Sequence, residues 1–343
     1  MEERLSGAGG DLAAHVHSGV ATVTLNRPQA LNALTFGMLE TLRDWLDHWE
    51  NDAGVRMVVL RGAGTKAFCA GGDVRALYAQ LASGSTEHHR FFEVEYALDY
   101  RIHTYPKTIV AVMDGIVMGG GMGISQGARV RIVGERTRMA MPETGIGLFP
   151  DVGGSYFLSR TPGKLGIYLG LAGPTINAAD AIYAGLADVY AGAAEAQPGE
   201  LERLRPAIDR HFAHATVEAI VESLRREDDA RYRDWAQRTV DTLSRRSPTL
   251  LTVTLEQLRR GATMPLADCF RMEFDLIHGC FEQGDFLEGV RALIVDKDKS
   301  PRWNPPTLAA VDAAAVERFF RARPRDAAHP LAKLREPRQN PGS

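Results

Sequence analysis

The sequence predicts an α/β layer fold followed by a helical region, and three observations lead there. Short β-type segments alternate with segments of helical period up to about Gly173. Beyond that point β-branched runs become sparse, and 199–224, 228–244, 248–260 and 265–282 keep the helical period. Finally, 20 of the chain's 34 glycines fall between Gly62 and Gly173, many of them at the ends of predicted strands.

The elements follow in order. HVHSGVATVTLN (residues 15–26) alternates around Ser18-Gly19 and reads as a β-hairpin, ended by Asn26-Arg27-Pro28. Met38, Leu42, Trp45 and Trp49 recur at helical spacing between Thr35 and Glu50, with Thr35 as the N-cap and both tryptophans in the core. RMVVLR (56–61) is a short buried-type strand leading into GAGTKAFCAGGD and a helix from Val74. A further helix covers 87–105, and TIVAVM (108–113) is a strand. DGIVMGGGMGISQG then turns into a helix, and 129–133 is a strand again. The Pro- and Arg-rich tail from Arg321 is expected to be disordered.

Composition narrows the class. With 343 residues, 45% hydrophobic, the chain can bury a substantial core. A net charge of -3 implies neither a nucleic-acid-binding face nor a polybasic membrane anchor. Cys69, Cys269 and Cys280 make no disulfide framework and match no metal spacing. The start lacks the apolar stretch of a signal peptide, and no run is long enough to span a membrane. A cytoplasmic protein is therefore expected.

Three segments carry the candidate chemistry: AFCAGGD (67–73), DGIVMGGGMGIS (114–125) and MPETGIGLFPDVGG (141–154). Glycine lets a backbone N–H approach a ligand closely. Two such groups aimed at one point would form an oxyanion hole, and a helix starting near Gly120 would add its positive end. The competing reading is that these glycines serve tight turns and close packing. A nucleotide-cradling loop fits poorly: no G-x-x-x-x-G-K-[ST] is present, and Gln126 stands where G-x-G-x-x-G needs its last glycine. The third segment holds Glu143 and Asp151, each preceded by proline, which suits either acid/base chemistry or solvated capping.

Taken together, the three segments resemble the crotonase (enoyl-CoA hydratase/isomerase) superfamily, which carries A-F-x-A-G-x-D, D/N-G-x-x-x-G-G-G and P-E blocks in this order and spacing. The resemblance runs from about His15 to Pro306. It implies a crotonase-like core of repeated ββα units (12–200), a C-terminal helical region (201–320) ahead of the tail (321–343), and an acyl-CoA ligand. It further implies that the N–H groups of Gly72 and Gly120 form the oxyanion hole. Family hydratases carry a second glutamate two positions after the GGG run, where this chain has Gly123. FFEVEY (91–96), LFPDVGG and DFLEGVRALIVDKDKSPRW resemble the 3-hydroxyisobutyryl-CoA hydrolase subgroup. That likeness implies a thioesterase of valine breakdown. Glu143 would activate water or attack directly to give a mixed anhydride, Asp151 would orient the water or bond the acyl hydroxyl, and Glu95 would line the acyl end. Glu95, Gly120, Glu143 and Asp151 would thus bind substrate. No metal and no cofactor is called for beyond the CoA of the substrate, and relatives imply a trimer or hexamer. An enoyl-CoA delta isomerase, needing only Glu143, or a hydratase of the same superfamily, and an idle acyl-CoA-binding protein remain alternatives.

Other conspicuous residues have plainer readings. Asp73 is expected to cap the helix from Val74, and Cys69 to be a small buried hydrophobe. His88, His89, His211 and His214 are expected on solvated faces. Lys297, Lys299 and Arg302 form a basic cluster, either solvated or, by resemblance, facing CoA phosphates.

Overall fold

The computed structural model describes residues 2–321 and 329–335. Among the described residues ten strands are arranged in two sheets. They are β1 (Glu2–Gly7), β2 (Leu12–His17), β3 (Val20–Leu25), β4 (Met57–Gly62), β5 (Ala67–Cys69), β6 (Thr108–Met113), β7 (Ile116–Met118), β8 (Val130–Val133), β9 (Arg138–Ala140) and β10 (Val189–Tyr190). The larger sheet runs β1-β2-β3-β4-β6-β8-β10, antiparallel through β3 and parallel beyond it. The smaller sheet, β5-β7-β9, is all parallel. Each repeat sends one long strand to the first sheet and one short strand to the second: β4/β5, β6/β7, β8/β9. This is the repeated ββα core.

Strand periodicity explains the buried face. Leu12, Ala14 and Val16 of β2, Ala21, Val23 and Leu25 of β3, and Ile109, Ala111 and Met113 of β6 are buried, with half-exposed residues between them. The hairpin turns at Ser18 and Gly19, both at positive φ, as a tight two-residue turn requires. β1 had no expected element: EERLSG is polar and largely exposed, so it pairs along β2 without an apolar alternation to betray it.

Four helices belong to the first repeats. Thr35 caps α1 (Phe36–Asn51) by accepting from Met38 N at 3.2 Å, and Asp73 caps α2 (Val74–Ala82) by accepting from Ala76 N at 3.3 Å. α3 (Glu87–His103) packs against both α1 and α4 (Gly120–Gln126). Trp49 is buried in the core and Trp45 half-buried against it.

Ten further helices follow among the described residues: α5 (Gly154–Phe157), α6 (Leu165–Ala172), α7 (Ala178–Tyr183), α8 (Leu201–His211), α9 (Val217–Arg225), α10 (Arg233–Leu243), α11 (Pro248–Gly261), α12 (Leu266–Gln283), α13 (Asp285–Val290) and α14 (Ala313–Phe319). The segment 199–224 is two helices, because Thr216 starts a new one by capping Ala219 N. His211 closes that junction, bonding Ser223 Oγ at 2.7 Å and Glu227 at 2.8 Å. It is buried, as is His88, and neither lies on a solvated face. The tail is not uniformly free either. Leu331 is buried and its carbonyl accepts from Arg271 Nε at 3.2 Å; residues 322–328 and 336–343 of the expected disorder lie outside the described residues.

One short segment links fold to site. Residues 31–34 run beside the AFCAGGD loop: Ala70 N donates to Leu31 O (3.1 Å), Leu34 N to Gly71 O (2.8 Å) and Asp73 N to Leu34 O (3.0 Å). Asn32, fully buried at φ 56°, pins this segment by donating to Ala63 O and Ala67 O while accepting from Arg27 N. Replacing it by alanine leaves those groups unpaired in a backbone region asparagine tolerates best. Asn32→Ala is expected to destabilise the protein by ~2–4 kcal/mol in urea unfolding.

Candidate active site

A cavity of about 320 Å³ opens between the β5–α2 turn, the β7–α4 turn, α3 and the 142–152 segment. Gly71 and Gly72 reach it from the smaller sheet, Gly119 and Gly120 from the next repeat, and Glu95, Glu143, Asp151 and Arg246 line it with apolar side chains. The structure therefore brings all five sequence-expected residues, Gly72, Glu95, Gly120, Glu143 and Asp151, to one place.

The two glycine turns meet closely. A Cβ on Gly121 would lie 2.3 Å from Cys69 O, so only glycine permits the approach of α4 to β5. A Cβ on Gly120 would lie 3.4 Å from Gly72 N; since a Cβ sits ~2.5 Å from its own nitrogen, the two amide nitrogens are within ~6 Å. Neither N–H is used by the backbone bonds of the surrounding turns.

The carboxylates crowd the same space. Glu143 Oε1 would lie 2.9 Å from a Cβ on Gly119, and Glu95 Oε1 2.5 Å from one on Gly120. Tyr96 donates its hydroxyl to Asp151 Oδ2 at 2.8 Å. Burial, followed by the charge of Asp151, raises the carboxyls of Glu95 and Glu143 well above the usual range. Burial pushes Asp151 up to about 6, against the hydrogen bond from Tyr96. Among the described residues Arg246 is the one cation on the cavity wall; it donates to Ala172 O at 2.7 Å and its charge favours ionised Glu143.

Gly123 is closed to any side chain. A Cβ there would lie 2.6 Å from Asp99 Oδ2 and 2.7 Å from Val152 Cβ. Asp99 is fully buried, and neither oxygen has a hydrogen-bond partner among the described residues. Burial, then the charges of Glu95, Asp151 and Glu273, raise its carboxyl well above the ordinary value.

Asp151 sits on an unusual turn. Val152 has φ 52° and Gly153 φ 89°. A β-branched residue in the left-handed region costs about 1–3 kcal/mol and persists only where its surroundings impose it. Glu273 accepts from Gly153 N and Ser155 N, and Gln257 donates to Pro150 O. Burial pushes Glu273 up to about 8 despite those bonds.

Tyr96, Asp99, Arg246, Gln257 and Glu273 escaped sequence reasoning. A signal existed for two of them. Glu95 and Asp99 are spaced i, i+4 on a helix face shared with Phe91, Phe92 and Ile102, and Glu273 interrupts the stripe Cys269, Phe270, Leu276, Ile277, Cys280. Acids on apolar stripes are buried acids.

A family model described as enoyl-CoA hydratase/isomerase matches residues 20–198 and 191–320. The chain belongs to that family. Among curated proteins, a mitochondrial 3-hydroxyisobutyryl-CoA hydrolase of Danio rerio is 40% identical, covering 87% of this chain and 86% of the relative. A 3-hydroxyisobutyryl-CoA hydrolase of Arabidopsis thaliana is 37% identical over 88% of this chain and 89% of its own. Among solved structures, a protein of Mycobacterium thermoresistibile described as a carnitinyl-CoA dehydratase superposes with a TM-score of 0.86 at 41% identity, covering 91% of this chain and 96% of that one. An enoyl-CoA hydratase of Rhodobacter sphaeroides 2.4.1 gives 0.86 at 37% identity, covering 90% and 97%. This member of the enoyl-CoA hydratase/isomerase family thus shares one fold with proteins named for different reactions.

The buried acids make a pH prediction. Asp151 and Glu273 titrate above their unfolded values of ~3.9 and ~4.3, and Glu95, Asp99 and Glu143 are displaced the same way. The folded state binds these protons more tightly, so stability is lost as pH rises through the folded values. The melting temperature is expected to be higher at about pH 7 than at about pH 8. Asp99→Asn should raise it at the upper pH and flatten the slope; a destabilised Asp99→Asn protein there would contradict this account.

Proposed function

We propose that the chain is a thioester hydrolase acting on 3-hydroxyisobutyryl-CoA, releasing 3-hydroxyisobutyrate and CoA in valine catabolism. The observation that carries this reading is the exchange of carboxylates at the cavity. Gly123, where a hydratase would need its second glutamate, has no room for one, while Asp151 enters the cavity beside Glu143. The 3-hydroxyisobutyryl-CoA hydrolases related to it over most of the chain support the same reading.

In this mechanism the thioester carbonyl accepts from Gly72 N–H and Gly120 N–H. As the carbonyl carbon becomes tetrahedral, charge develops on its oxygen, where each donor can contribute about 3–4 kcal/mol. Glu143 follows Pro142, whose carbonyl accepts from Arg246 at 3.5 Å, and burial makes it a stronger base than a solvated carboxylate. It either takes a proton from water as the oxygen attacks, or attacks itself to give a mixed anhydride that water opens. In both routes the C–S bond breaks and CoA leaves as the thiol once protonated. Asp151, oriented by Tyr96, would orient that water or bond the acyl hydroxyl, with Glu95 lining the acyl end. A site built for that hydroxyl rejects acyl groups lacking it, because buried polar groups would be left unpaired.

Hydrolysis on these residues calls for no metal or cofactor beyond the CoA of the substrate. We place the protein in the cytoplasm, which its three buried cysteines, none in a disulfide, suit; the Danio rerio relative is named mitochondrial. Among the described residues no helix is long and apolar enough to cross a membrane. A homo-oligomer, trimer or hexamer, rests on the family resemblance alone.

Purified protein mixed with 3-hydroxyisobutyryl-CoA and a thiol reagent should release free CoA promptly. Double-bond migration in a 3-enoyl-CoA with no thiol release would instead make it an isomerase, and inertness toward both an acyl-CoA-binding protein. Glu143→Gln and Asp151→Asn should each lower turnover at least ~100-fold while CoA affinity stays near wild type. Isobutyryl-CoA, lacking the hydroxyl, should be hydrolysed far more slowly than the hydroxylated thioester.

A further inference from the structure

We infer that Glu273, assisted by Gln257, is a positioning residue that aims Asp151 into the cavity. The inference rests on the hydrolase reading above for the role of Asp151, but its geometry stands alone.

The turn after Pro150 does not hold itself. Val152 takes φ 52°, a conformation its branched Cβ opposes, and Gly153 follows at φ 89°. Inside the turn the one short backbone bond is Gly154 N to Asp151 O at 2.7 Å. What imposes the conformation comes from the C-terminal helices. Glu273 of α12, fully buried, accepts from Gly153 N through Oε2 at 2.7 Å and from Ser155 N through Oε1 at 2.8 Å. Gln257 of α11, also fully buried, donates Nε2 to Pro150 O at 2.6 Å and to Ser155 Oγ at 2.8 Å. The two side chains grip the backbone on both sides of Asp151, more than 100 residues away in sequence.

The choice of an acid at 273 is chemically specific. In its ionised form the carboxyl presents two acceptors, one taken by Gly153 N–H and the other by Ser155 N–H two residues on. Glutamine presents one acceptor and one donor, so one amide would face an NH₂ group. Aspartate keeps the charge but is one methylene short of the turn. Neither replacement touches the cavity, because Glu273 does not line it.

The test is a double-mutant cycle on thiol release from 3-hydroxyisobutyryl-CoA, with hydrogen exchange as a readout independent of activity. Glu273→Gln should lower kcat at least tenfold with little change in KM, and Glu273→Asp should not rescue it. Combined with Asp151→Asn, the loss should be no larger than for Asp151→Asn alone, since both act through one group. Exchange of the peptide spanning 149–157 should rise in Glu273→Gln well below its melting temperature, with β6 unchanged. If Glu273→Gln does not fold, Gln257→Leu gives the same kcat-selective loss. A kcat within twofold of wild type in Glu273→Gln, losses that multiply in the double variant, or unchanged exchange at 149–157 would each overturn the assignment. Wild-type protein that releases no CoA would overturn the hydrolase reading instead, leaving the exchange result to decide the clamp.

Discussion

The close approach of two glycine turns is the constraint on which the rest of the structure depends. The turn after β5 and the turn after β7 come from successive ββα units, and they can touch only where neither carries a side chain. Gly121 lies against the Cys69 carbonyl, and Gly71 and Gly72 lie against Gly119 and Gly120. The second, three-stranded sheet exists to hold these strand ends in parallel, and residues 31–34 brace the first turn from outside. The cavity is what this contact leaves open.

Around the contact the protein buries an unusual amount of acid. Glu95, Asp99, Glu143, Asp151 and Glu273 are all shielded from water, and Arg246 is the one cation on the cavity wall among the described residues. Burying carboxyls without matching charges disfavours their ionised forms. The structure compensates locally: a phenol for Asp151, two backbone amides for Glu273, the guanidinium of Arg246 for Glu143. Asp99, with neither oxygen bonded, has no such partner among the described residues, and Glu95 Oε1 has none either. A reactive site and a stability cost therefore share one physical origin, the exclusion of water from a carboxylate cluster.

The family's shared fold hosts reactions with different demands, as the names of the hydrolase and hydratase relatives illustrate. In this chain Gly123 has no room for a longer side chain: Asp99 of α3 and Val152, next to Asp151, occupy the space it would need.

Much was legible in the sequence by itself. Alternation predicted β2 and β3, short apolar runs predicted β4, β6 and β8, helical period predicted α1 and α3, and Asp73 marked the cap of α2. The family resemblance carried by the three glycine-bearing segments, with FFEVEY and LFPDVGG, pointed to Gly72, Glu95, Gly120, Glu143 and Asp151. These are local or motif-borne signals, written within a few residues of each other. What only the tertiary structure decided is long-range: the polar strand β1, the burial of His88 and His211, the docking of Leu331, and above all the partners of Asp151. Tyr96, Gln257 and Glu273 lie 55, 107 and 120 residues or so from the groups they hold. No periodicity within one element encodes which backbone amide a buried carboxylate will meet. That pairing is settled only when α3, α11 and α12 pack around the turn, because a buried polar group takes whatever partner the assembled core leaves within reach.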